Sequence, residues 1–338
     1  MTFTVVPHAC LRPLNTFGVE ARAARLIEVD QPADLQAAVA EACAMPPLLV
    51  LGAGSNVLFT GDFPGTVVHL GTRGRRVLES RGADAVVEAE AGENWDAFVR
   101  WTLAEGLFGL ENLSLIPGTV GASPIQNVGA YGVEVCERFD ALSAIELGTL
   151  ARREFSAADC AFGYRDSVFK HAEAGRWLIE RVRFRLSRLP RPRLDYADLR
   201  NELAARGRVQ PTPADVADAV TAIRRRKLPD PAELGNAGSF FKNPVLSEGE
   251  ARALRAREPD IVCWPDARGV KLSAAWMIER CGWKGVRDGD AGVHASHALV
   301  LVNHGRASGA QILALARRIR ASVLQRFGVA LEPEPLVR

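Results

Sequence analysis

Residues 48–59 read LLVLGAGSNVLF, and this stretch limits which fold the chain can adopt. Four apolar residues typical of a buried strand lead into a turn with Gly52 and Gly54, and a second apolar run follows. A dinucleotide-binding Rossmann unit would need a third glycine at position 57, where Val57 stands, and a helix directly after the turn. The segment instead continues as strand, loop and strand to residue 70, which argues against a Rossmann unit.

The remaining sequence mixes helical and strand patterns, which indicates an α+β protein. Apolar residues at helical spacing predict helices at 30–44, 94–106, 213–228, 247–257, 272–281 and 308–327. Strand patterns lie at 85–91, 140–148, 151–160, 177–188 and 298–302. The Pro/Arg-rich stretch 189–199 ends the central strands and is a predicted domain edge.

Composition excludes several classes of protein. The 338 residues carry a net charge of only +2, which gives no electrostatic reason for binding nucleic acid or a membrane surface. Six cysteines without a CxxC pair and an N-terminus without a leader pattern predict free thiols in a reducing cytoplasm. His294 and His297 have no third ligand nearby in sequence, so we expect no metal site.

A second glycine-rich loop, IPGTVGASPIQNVGAYG, occupies residues 116–132. Its small residues would let the backbone approach a ligand and present N–H groups to a phosphate. The alternative is a surface loop without a ligand. Two such loops with strands beside them and a helix between them favour a pyrophosphate held by loops. The candidate contacts are Gly52, Gly54, Ser55 and Asn56 in the first loop and Gly118, Gly121, Ala122 and Ser123 in the second.

A third loop, LGNAGSFFKNP, contains Ser239 between a glycine turn and two phenylalanines. Ser239 is either an ordinary turn residue or a proton donor in an apolar pocket. No GxSxG motif surrounds it, so a hydrolase nucleophile is disfavoured.

Two charged stretches also have two interpretations each. In YRDSVFK, Arg165 either pairs with Asp166 or neutralises a substrate carboxylate. In RRRKLPD, the basic residues either compensate the helix dipole or place Lys227, one of only five lysines, beside a diphosphate. The C-terminal LEPE carries Glu332 and Glu334 in an extended segment, and composition alone assigns them no role.

Seven of these pieces, in order, resemble the UDP-N-acetylenolpyruvoylglucosamine reductase family, which makes UDP-N-acetylmuramate for peptidoglycan. The matching stretches run from about residue 48 to 335: GAGSNVLF, IPGTVGASPIQNVGAYG, YRDSVFK, RRRKLPDP, GNAGSFFKNP, HALVLVN and LEPE. The stretches YRDS and LPRPRLDYADL favour the longer variety of the family, which has an extra tyrosine loop.

The resemblance implies a fold and a domain plan. The fold would be the FAD-binding fold of the vanillyl-alcohol-oxidase (PCMH) type, in two subdomains, followed by an α+β substrate-binding domain. The expected limits are 1–70 and 71–205 for the flavin subdomains, 206–325 for the substrate domain, and 326–338 for a C-terminal segment that returns to the active site. We expect a monomer.

The resemblance also implies the chemistry. NADPH would reduce a non-covalently bound FAD and leave, and the enolpyruvyl substrate, UDP-GlcNAc-enolpyruvate, would then accept hydride at C3 and a proton at C2. In this chain the family's acid is Ser239, the arginine that stabilises the developing negative charge is Arg165, and the late carboxylate is Glu334.

The substrate contacts that the resemblance implies are Tyr131, Tyr196, Lys227 and Asn243. Ala122 is a departure, because many relatives have Gly or Ser there, but a methyl group still allows backbone contact. Neither glycine loop contains a histidine, so we expect no covalent flavin. Two other interpretations remain: a sugar or lactone oxidase of the same flavin fold, and a nucleotide-binding protein without catalysis, against which Ser239, Arg165 and Glu334 together argue.

Overall fold

The computed structural model describes residues 3–338; Met1 and Thr2, where the first predicted subdomain begins, lie outside the described residues. The chain forms two compact units. Unit 1 comprises residues 1–9, 23–53 and 64–226, and unit 2 comprises residues 10–22, 54–63 and 227–338. The four-part division predicted from sequence stays a prediction.

The strands and helices follow one another along the chain within these units. The strands are β1 (Thr4–Cys10), β2 (Arg22–Val29), β3 (Leu48–Leu51), β4 (Val57–Leu58), β5 (Phe63–Leu70), β6 (Arg75–Arg81), β7 (Asp84–Glu90), β8 (Gly129–Ala130), β9 (Val133–Glu134), β10 (Phe139–Glu146), β11 (Arg152–Ser156), β12 (Trp177–Ser187), β13 (Gly235–Ser239), β14 (Val245–Leu246), β15 (Cys263–Asp266), β16 (Gly269–Leu272), β17 (Arg287–Asp288), β18 (Ala291–Val293), β19 (Val300–Asn303) and β20 (Leu336–Val337). The helices are α1 (Leu35–Cys43), α2 (Trp95–Ala104), α3 (Ala157–Cys160), α4 (Ala197–Ala205), α5 (Pro213–Lys227), α6 (Glu248–Arg257), α7 (Ala274–Arg280) and α8 (Gly309–Phe327).

Unit 1 contains two larger sheets over one apolar core. The four-stranded sheet has the order β1-β2-β5-β3, and the five-stranded antiparallel sheet has the order β11-β10-β12-β7-β6. Buried side chains of both sheets and of α1 and α2 belong to a single cluster. Trp95 and Phe98 of α2 pack against Phe184 of β12, with ring centroids 5.9 and 5.3 Å away. This aromatic contact fixes α2 on the sheet and so positions the loops at its ends.

Unit 2 combines short sheets with helices. Its sheets have the orders β13-β19-β18-β17 and β14-β16-β15, and β20 pairs with β4 in parallel. The apolar stripe predicted for α8 is fully buried; its members are Ile312, Leu315, Ile319, Val323 and Phe327. The pairing of β20 with β4 returns the C-terminus to the end of the first glycine loop, which places residues 331–338 within this unit.

Helix ends predicted from sequence have the expected caps. Asn94 accepts a hydrogen bond from the Ala97 N–H, and Ser308 forms a capping box with Gln311. Thr212 accepts from the Asp215 N–H, and the Asp215 carboxylate accepts from the Thr212 N–H in return. These side chains satisfy N–H groups that have no partner inside the helix, which is why the helices begin there.

Many short elements were not predicted, and they are β1, β2, β6, β8, β9, β13, β14, β15, β16, β17, β18, β20 and α4. The predicted strand 151–160 is wrong at its end, because β11 stops at Ser156, whose side chain caps the short helix α3. Strand β6 reads RRVLESR and is almost entirely exposed, so it lacks the alternation of apolar and polar residues that marks a half-buried strand. It forms because its backbone completes the edge of β7. Within residues 3–338 no helix is long and apolar enough to cross a membrane.

Candidate functional site

The two glycine loops meet within unit 1. A Cβ atom on Gly52 would lie 2.5 Å from Thr119 Oγ1, and one on Gly121 would lie 2.5 Å from Ala91 Cβ. Neither position has room for a side chain, so both loops run tightly against neighbouring residues. The first loop and residues 116–123 thus share one edge of this unit.

The backbone of the second loop divides into two parts. The N–H groups of Gly121, Ala122 and Ser123 donate to the carbonyl oxygens of Ala91, Thr119 and Val120, and the Ser123 hydroxyl also donates to Val120. These three N–H groups therefore stabilise the loop's own turn, and contact of the three residues with a cofactor stays a prediction.

Gly118 and Thr119 differ from these three residues. Both residues are buried, and within residues 3–338 their N–H groups have no hydrogen-bond acceptor. Buried N–H groups without an acceptor are costly unless a ligand or water accepts from them. The loop therefore fits an anion such as the pyrophosphate of FAD.

The second half of the first loop belongs to unit 2. Gly54 has φ +61, and a Cβ atom there would lie 1.9 Å from the Leu14 carbonyl oxygen. Thr16 donates its N–H to the Gly54 oxygen at 3.1 Å. Asn56 donates to the Glu334 oxygen at 3.3 Å and accepts from the Leu336 N–H, while Ser55 lies half-buried between Gly54 and Asn56. Asn56 thus ties this loop to the C-terminal segment.

Arg165 adopts a backbone conformation that arginine rarely takes. Its φ is +54, and its guanidinium donates from Nη2 to the Gly129 oxygen at 2.6 Å. Lys170 donates to the Arg165 carbonyl oxygen at 3.1 Å. The His171 ring contacts the Asp166 carboxylate at 2.8 Å. Arg165 is therefore anchored to the second glycine-rich loop.

Other left-handed residues surround the same loop. Leu115, Asn127 and Tyr131 have φ of 57, 45 and 48°. Each is held by a side-chain hydrogen bond: Asp96 accepts from the Leu115 N–H, and Asn112 donates to the Tyr131 oxygen. The Asn127 carboxamide itself donates to the Glu134 carboxylate and to the Gly163 oxygen. Such conformations cost about 1–3 kcal/mol each and persist where surrounding bonds enforce them. Their concentration around residues 115–131 and 165 favours this region as the candidate functional site.

Arg224 is a site residue that the sequence did not single out. It lies on α5, and its Nε donates to the carbonyl oxygen of the left-handed Leu115 at 3.1 Å. Burial lowers the pKa of Arg224, Tyr131 raises it, and the nearby charge of Arg165 lowers it further. Two guanidinium groups close to each other favour binding of an anion. The sequence signal that could have identified Arg224 is its position one helical turn before Lys227, which places both side chains on one face of α5.

Tyr131 and Tyr196 form an aromatic pair. Their ring centroids are 5.2 Å apart at an interplanar angle of 75°, and Tyr196 is 44% exposed. Burial raises the pKa of Tyr131 to about 12, against the opposing effect of Arg224. The structure therefore brings together two tyrosines that are 65 residues apart in sequence.

Ser239 ends β13 in unit 2, directly after Gly238, whose φ is +68. The Asn236 carboxamide fixes this turn: it accepts from the Gly238 N–H at 2.9 Å and donates to the Pro229 and Leu234 oxygens. Within residues 3–338 the Ser239 hydroxyl has no hydrogen-bond partner. The hydroxyl is therefore held by its backbone but is available to a ligand.

The C-terminal segment runs beside this serine. Glu334 donates its N–H to the Phe240 oxygen at 2.8 Å, and Lys242 donates its N–H to the Glu332 oxygen at 3.0 Å. Glu332 itself is exposed and paired with the Lys242 ammonium at 3.2 Å. The structure thus distinguishes the two glutamates of LEPE. Glu334 bonds through its backbone to Phe240, the residue after Ser239, whereas Glu332 bonds to Lys242.

Lys227 and Asn243 occupy different surroundings in unit 2. Burial and the charge of Lys227 lower the pKa of His297, so the lysine and this histidine are neighbours. The Asn243 Oδ1 accepts from the Ala274 N–H at 3.0 Å, which leaves its amide group to donate. His297 was considered only as a metal ligand, and no group of three or more metal-binding side chains occurs within residues 3–338.

Comparison with known proteins first defines the class. Residues 23–147 match the family model of a FAD binding domain. A solvent-stable cholesterol oxidase has a similar fold over 98% of this chain and 87% of its own, at 12% identity and a TM-score of 0.50. The protein is an α+β flavoprotein with the FAD-binding fold of the vanillyl-alcohol-oxidase type, as the sequence predicted.

Further matches define the family. Residues 230–337 match the C-terminal domain model of UDP-N-acetylenolpyruvoylglucosamine reductase. The enzyme of that name from Pseudomonas putida is 54% identical over 99% of both chains. The solved structure from Thermus caldophilus covers 100% of this chain and 99% of its own, with 26% identity and a TM-score of 0.68. The chain belongs to the UDP-N-acetylenolpyruvoylglucosamine reductase family and is an oxidoreductase, which confirms the resemblance.

Proposed function

We propose that this protein reduces the enolpyruvyl group of UDP-N-acetylglucosamine-enolpyruvate to UDP-N-acetylmuramate, with NADPH as hydride donor. FAD, when bound, would accept hydride from NADPH and deliver it to the vinyl carbon C3. The observation that carries the proposal is the presence, in a chain of this family, of an anchored guanidinium at Arg165 and an uncommitted hydroxyl at Ser239.

Arg165 would neutralise the substrate carboxylate. An enol ether accepts hydride poorly unless negative charge can build up on the conjugated carboxylate as an enolate. A fixed guanidinium stabilises this charge where it develops, without reorganisation. Its bond to Gly129 and its enforced backbone conformation support this role. Arg224 would add a second positive charge nearby.

Ser239 would donate the proton to C2. A serine hydroxyl is a weak acid, but an enolate carbon is a strong base and needs only a proton at the correct distance. The carboxamide of Asn236 and the turn at Gly238 hold this residue in place. Glu334, whose backbone is fixed beside Phe240, would orient the proton supply.

The remaining contacts concern the nucleotide part and the cofactor. Lys227 and the amide of Asn243 would bind the diphosphate, and Tyr131 with Tyr196 would contact the substrate. Gly52, Gly54, Ser55, Asn56 and Gly118 would hold the FAD pyrophosphate, with Gly121, Ala122 and Ser123 shaping that loop. Six free cysteines are consistent with a cytoplasmic enzyme that acts in peptidoglycan synthesis.

A spectroscopic titration tests the proposal. The purified protein should be yellow, and NADPH should bleach the flavin absorbance near 450 nm. Added UDP-GlcNAc-enolpyruvate, without oxygen, should restore the absorbance with a stoichiometry of about one per flavin. A bleached protein that stays colourless with this substrate yet reoxidises rapidly in air would contradict the proposal and indicate an oxidase.

A further inference from the structure

A cavity lies in unit 1, at the end of the five-stranded sheet where β7 begins. Its volume is about 330 Å³. Strand β7 begins beside it at Asp84 and ends at Glu90, next to Ala91, which contacts Gly121. At about 3.3 Å per residue, the strand puts roughly 20 Å between its start at Asp84 and the Gly121 turn, while Glu111 and Glu137 of the lining lie near the other end of the second loop, at residues 129–134. The cavity is therefore separate from the proposed pyrophosphate site.

Arginine side chains dominate the chemistry of the cavity. Arg138 is the innermost of them, and its Nε is buried and, within residues 3–338, lacks a hydrogen-bond partner. Its Nη1 reaches only the backbone oxygen of Glu137, at 3.3 Å. The Arg138 Nη2 also has no hydrogen-bond partner within residues 3–338 and, unlike Nε, is not fully buried, so it is the donor that an anionic ligand in the cavity would reach.

The carboxylates in the lining are largely occupied elsewhere. The Glu111 carboxylate accepts from the Gly109 N–H at 2.6 Å, and that of Glu137 accepts from the Glu134 N–H at 2.9 Å. Arg185 pairs with Asp140. Arg191 is exposed and has no ion pair within the described chain. Asp84 is also exposed, and it is the one acidic side chain of the lining that has no polar contact within the described chain. Arg138 and Arg191 are thus the arginines of the lining that have no ion pair within the described chain.

The absence of a side chain at Gly109 leaves the space that the Arg138 guanidinium occupies. The φ of Gly109 is +124, and a Cβ atom there would lie 2.4 Å from Arg138 Nε. Any other residue would therefore push the guanidinium out of position. Beside it, Phe108 and Phe139 line the same space, and Leu189 is 50% exposed at the rim. The cavity combines a positioned guanidinium with apolar walls.

From these features we propose that the cavity binds a small organic anion: a carboxylate or phosphate group pairs with Arg138 and Arg191, and an apolar or aromatic part packs against Phe108 and Leu189. A guanidinium fork suits both kinds of oxyanion. This site does not depend on the proposed reaction.

Isothermal titration of the purified full chain with phenyl phosphate tests the site, with phenylacetate as the carboxylate probe. Inorganic phosphate has the anionic group without the aromatic ring, and phenol has the aromatic ring without the anionic group. We expect saturable binding of phenyl phosphate or phenylacetate at one site per chain, and weaker binding of the two partial probes. Arg138→Gln should weaken the binding about tenfold or more, as expected for loss of a charge-assisted hydrogen bond.

Three controls keep the result specific. Arg188→Gln changes an exposed arginine outside the lining, whose Nη2 donates to Ser80, and should bind as the wild type does. Lys227→Gln and added UDP should leave the binding unchanged, since they address the proposed nucleotide site. If Arg138→Gln unfolds, Arg191→Gln replaces it, with the same expectation. Absence of saturable binding, equal binding by wild type and the folded cavity variant, or competition by UDP would overturn the proposal.

Discussion

The Arg165 guanidinium donates from Nη2 to the carbonyl oxygen of Gly129 at 2.6 Å. This bond joins the YRDS stretch to the glycine-rich loop 36 residues before it. A Cβ atom at Gly129 would lie 3.0 Å from Arg165 Nη1, so the glycine also gives the guanidinium its space. Arg165 is consequently fixed before any ligand binds, as electrostatic stabilisation of a developing charge requires.

Arg165→Lys tests this relationship. Lysine keeps the charge but loses the planar fork that bonds Gly129, so we expect kcat to fall by about 10²- to 10³-fold with flavin content unchanged. Steady-state kinetics with UDP-GlcNAc-enolpyruvate measure the effect, and Arg188→Lys is the control. A change confined to KM would show that Arg165 binds the ground state only.

Ser239→Ala removes the proposed proton donor. NADPH should bleach the flavin at the wild-type rate, whereas reoxidation by the enolpyruvyl substrate should slow by about 10²- to 10⁴-fold. Stopped-flow absorbance separates the two half-reactions, and Ser80→Ala, on the exposed strand β6, is the matched control. Slow bleaching by NADPH, or reoxidation as fast as in the wild type, would contradict the assigned role.

Gly54→Ala and Gly82→Ala separate backbone strain from steric overlap. Both glycines have φ +61, but a Cβ atom at Gly82 meets nothing within 4 Å, whereas one at Gly54 lies 1.9 Å from the Leu14 oxygen. We expect Gly82→Ala to cost about 1 kcal/mol and Gly54→Ala about 3 kcal/mol or more. Urea unfolding followed by circular dichroism measures both losses; equal losses would mean that the loop at Gly54 relaxes freely.

Glu90→Gln should change how stability depends on pH. Burial raises the pKa of Glu90 to about 7, partly offset by Arg181, while 4.5 is its ordinary value. The folded state then binds more protons than the unfolded state between pH 4.5 and 7, so Glu90 makes the wild type lose stability as pH rises through this window. The loss should be on the order of 2 kcal/mol and absent in the variant.

Urea unfolding at pH 5 and pH 8 measures this component as the difference between wild type and Glu90→Gln. The titrating histidines contribute equally to both proteins and cancel in that difference. Glu105→Gln, an exposed glutamate at the end of α2, is the control. Parallel pH dependences of wild type and Glu90→Gln would contradict the raised pKa.

Local sequence determined the elements whose signals lie within a few residues. The caps at Asn94, Thr212 and Ser308 begin their helices as predicted, because each side chain bonds an N–H three residues later. The glycine turn at 52–54 continues into strands β4 and β5 and not into a helix, as the missing third glycine indicated. The ordered set of motifs was sufficient to identify the family and the flavin fold.

The tertiary structure decided what depends on distant residues. Strand β6 forms only because β7 offers a free edge, and Tyr131 meets Tyr196 only because separate chain segments fold together. The backbone bond of Glu334 to Phe240 and the side-chain bond of Arg224 to the Leu115 oxygen likewise join distant segments, and the proposed roles of both residues rest on these bonds. Sequence patterns report periodicity and local hydrogen bonding. They do not report burial, long-range strand pairing or the effects of charges on one another, because these arise only when distant segments come together in the folded chain.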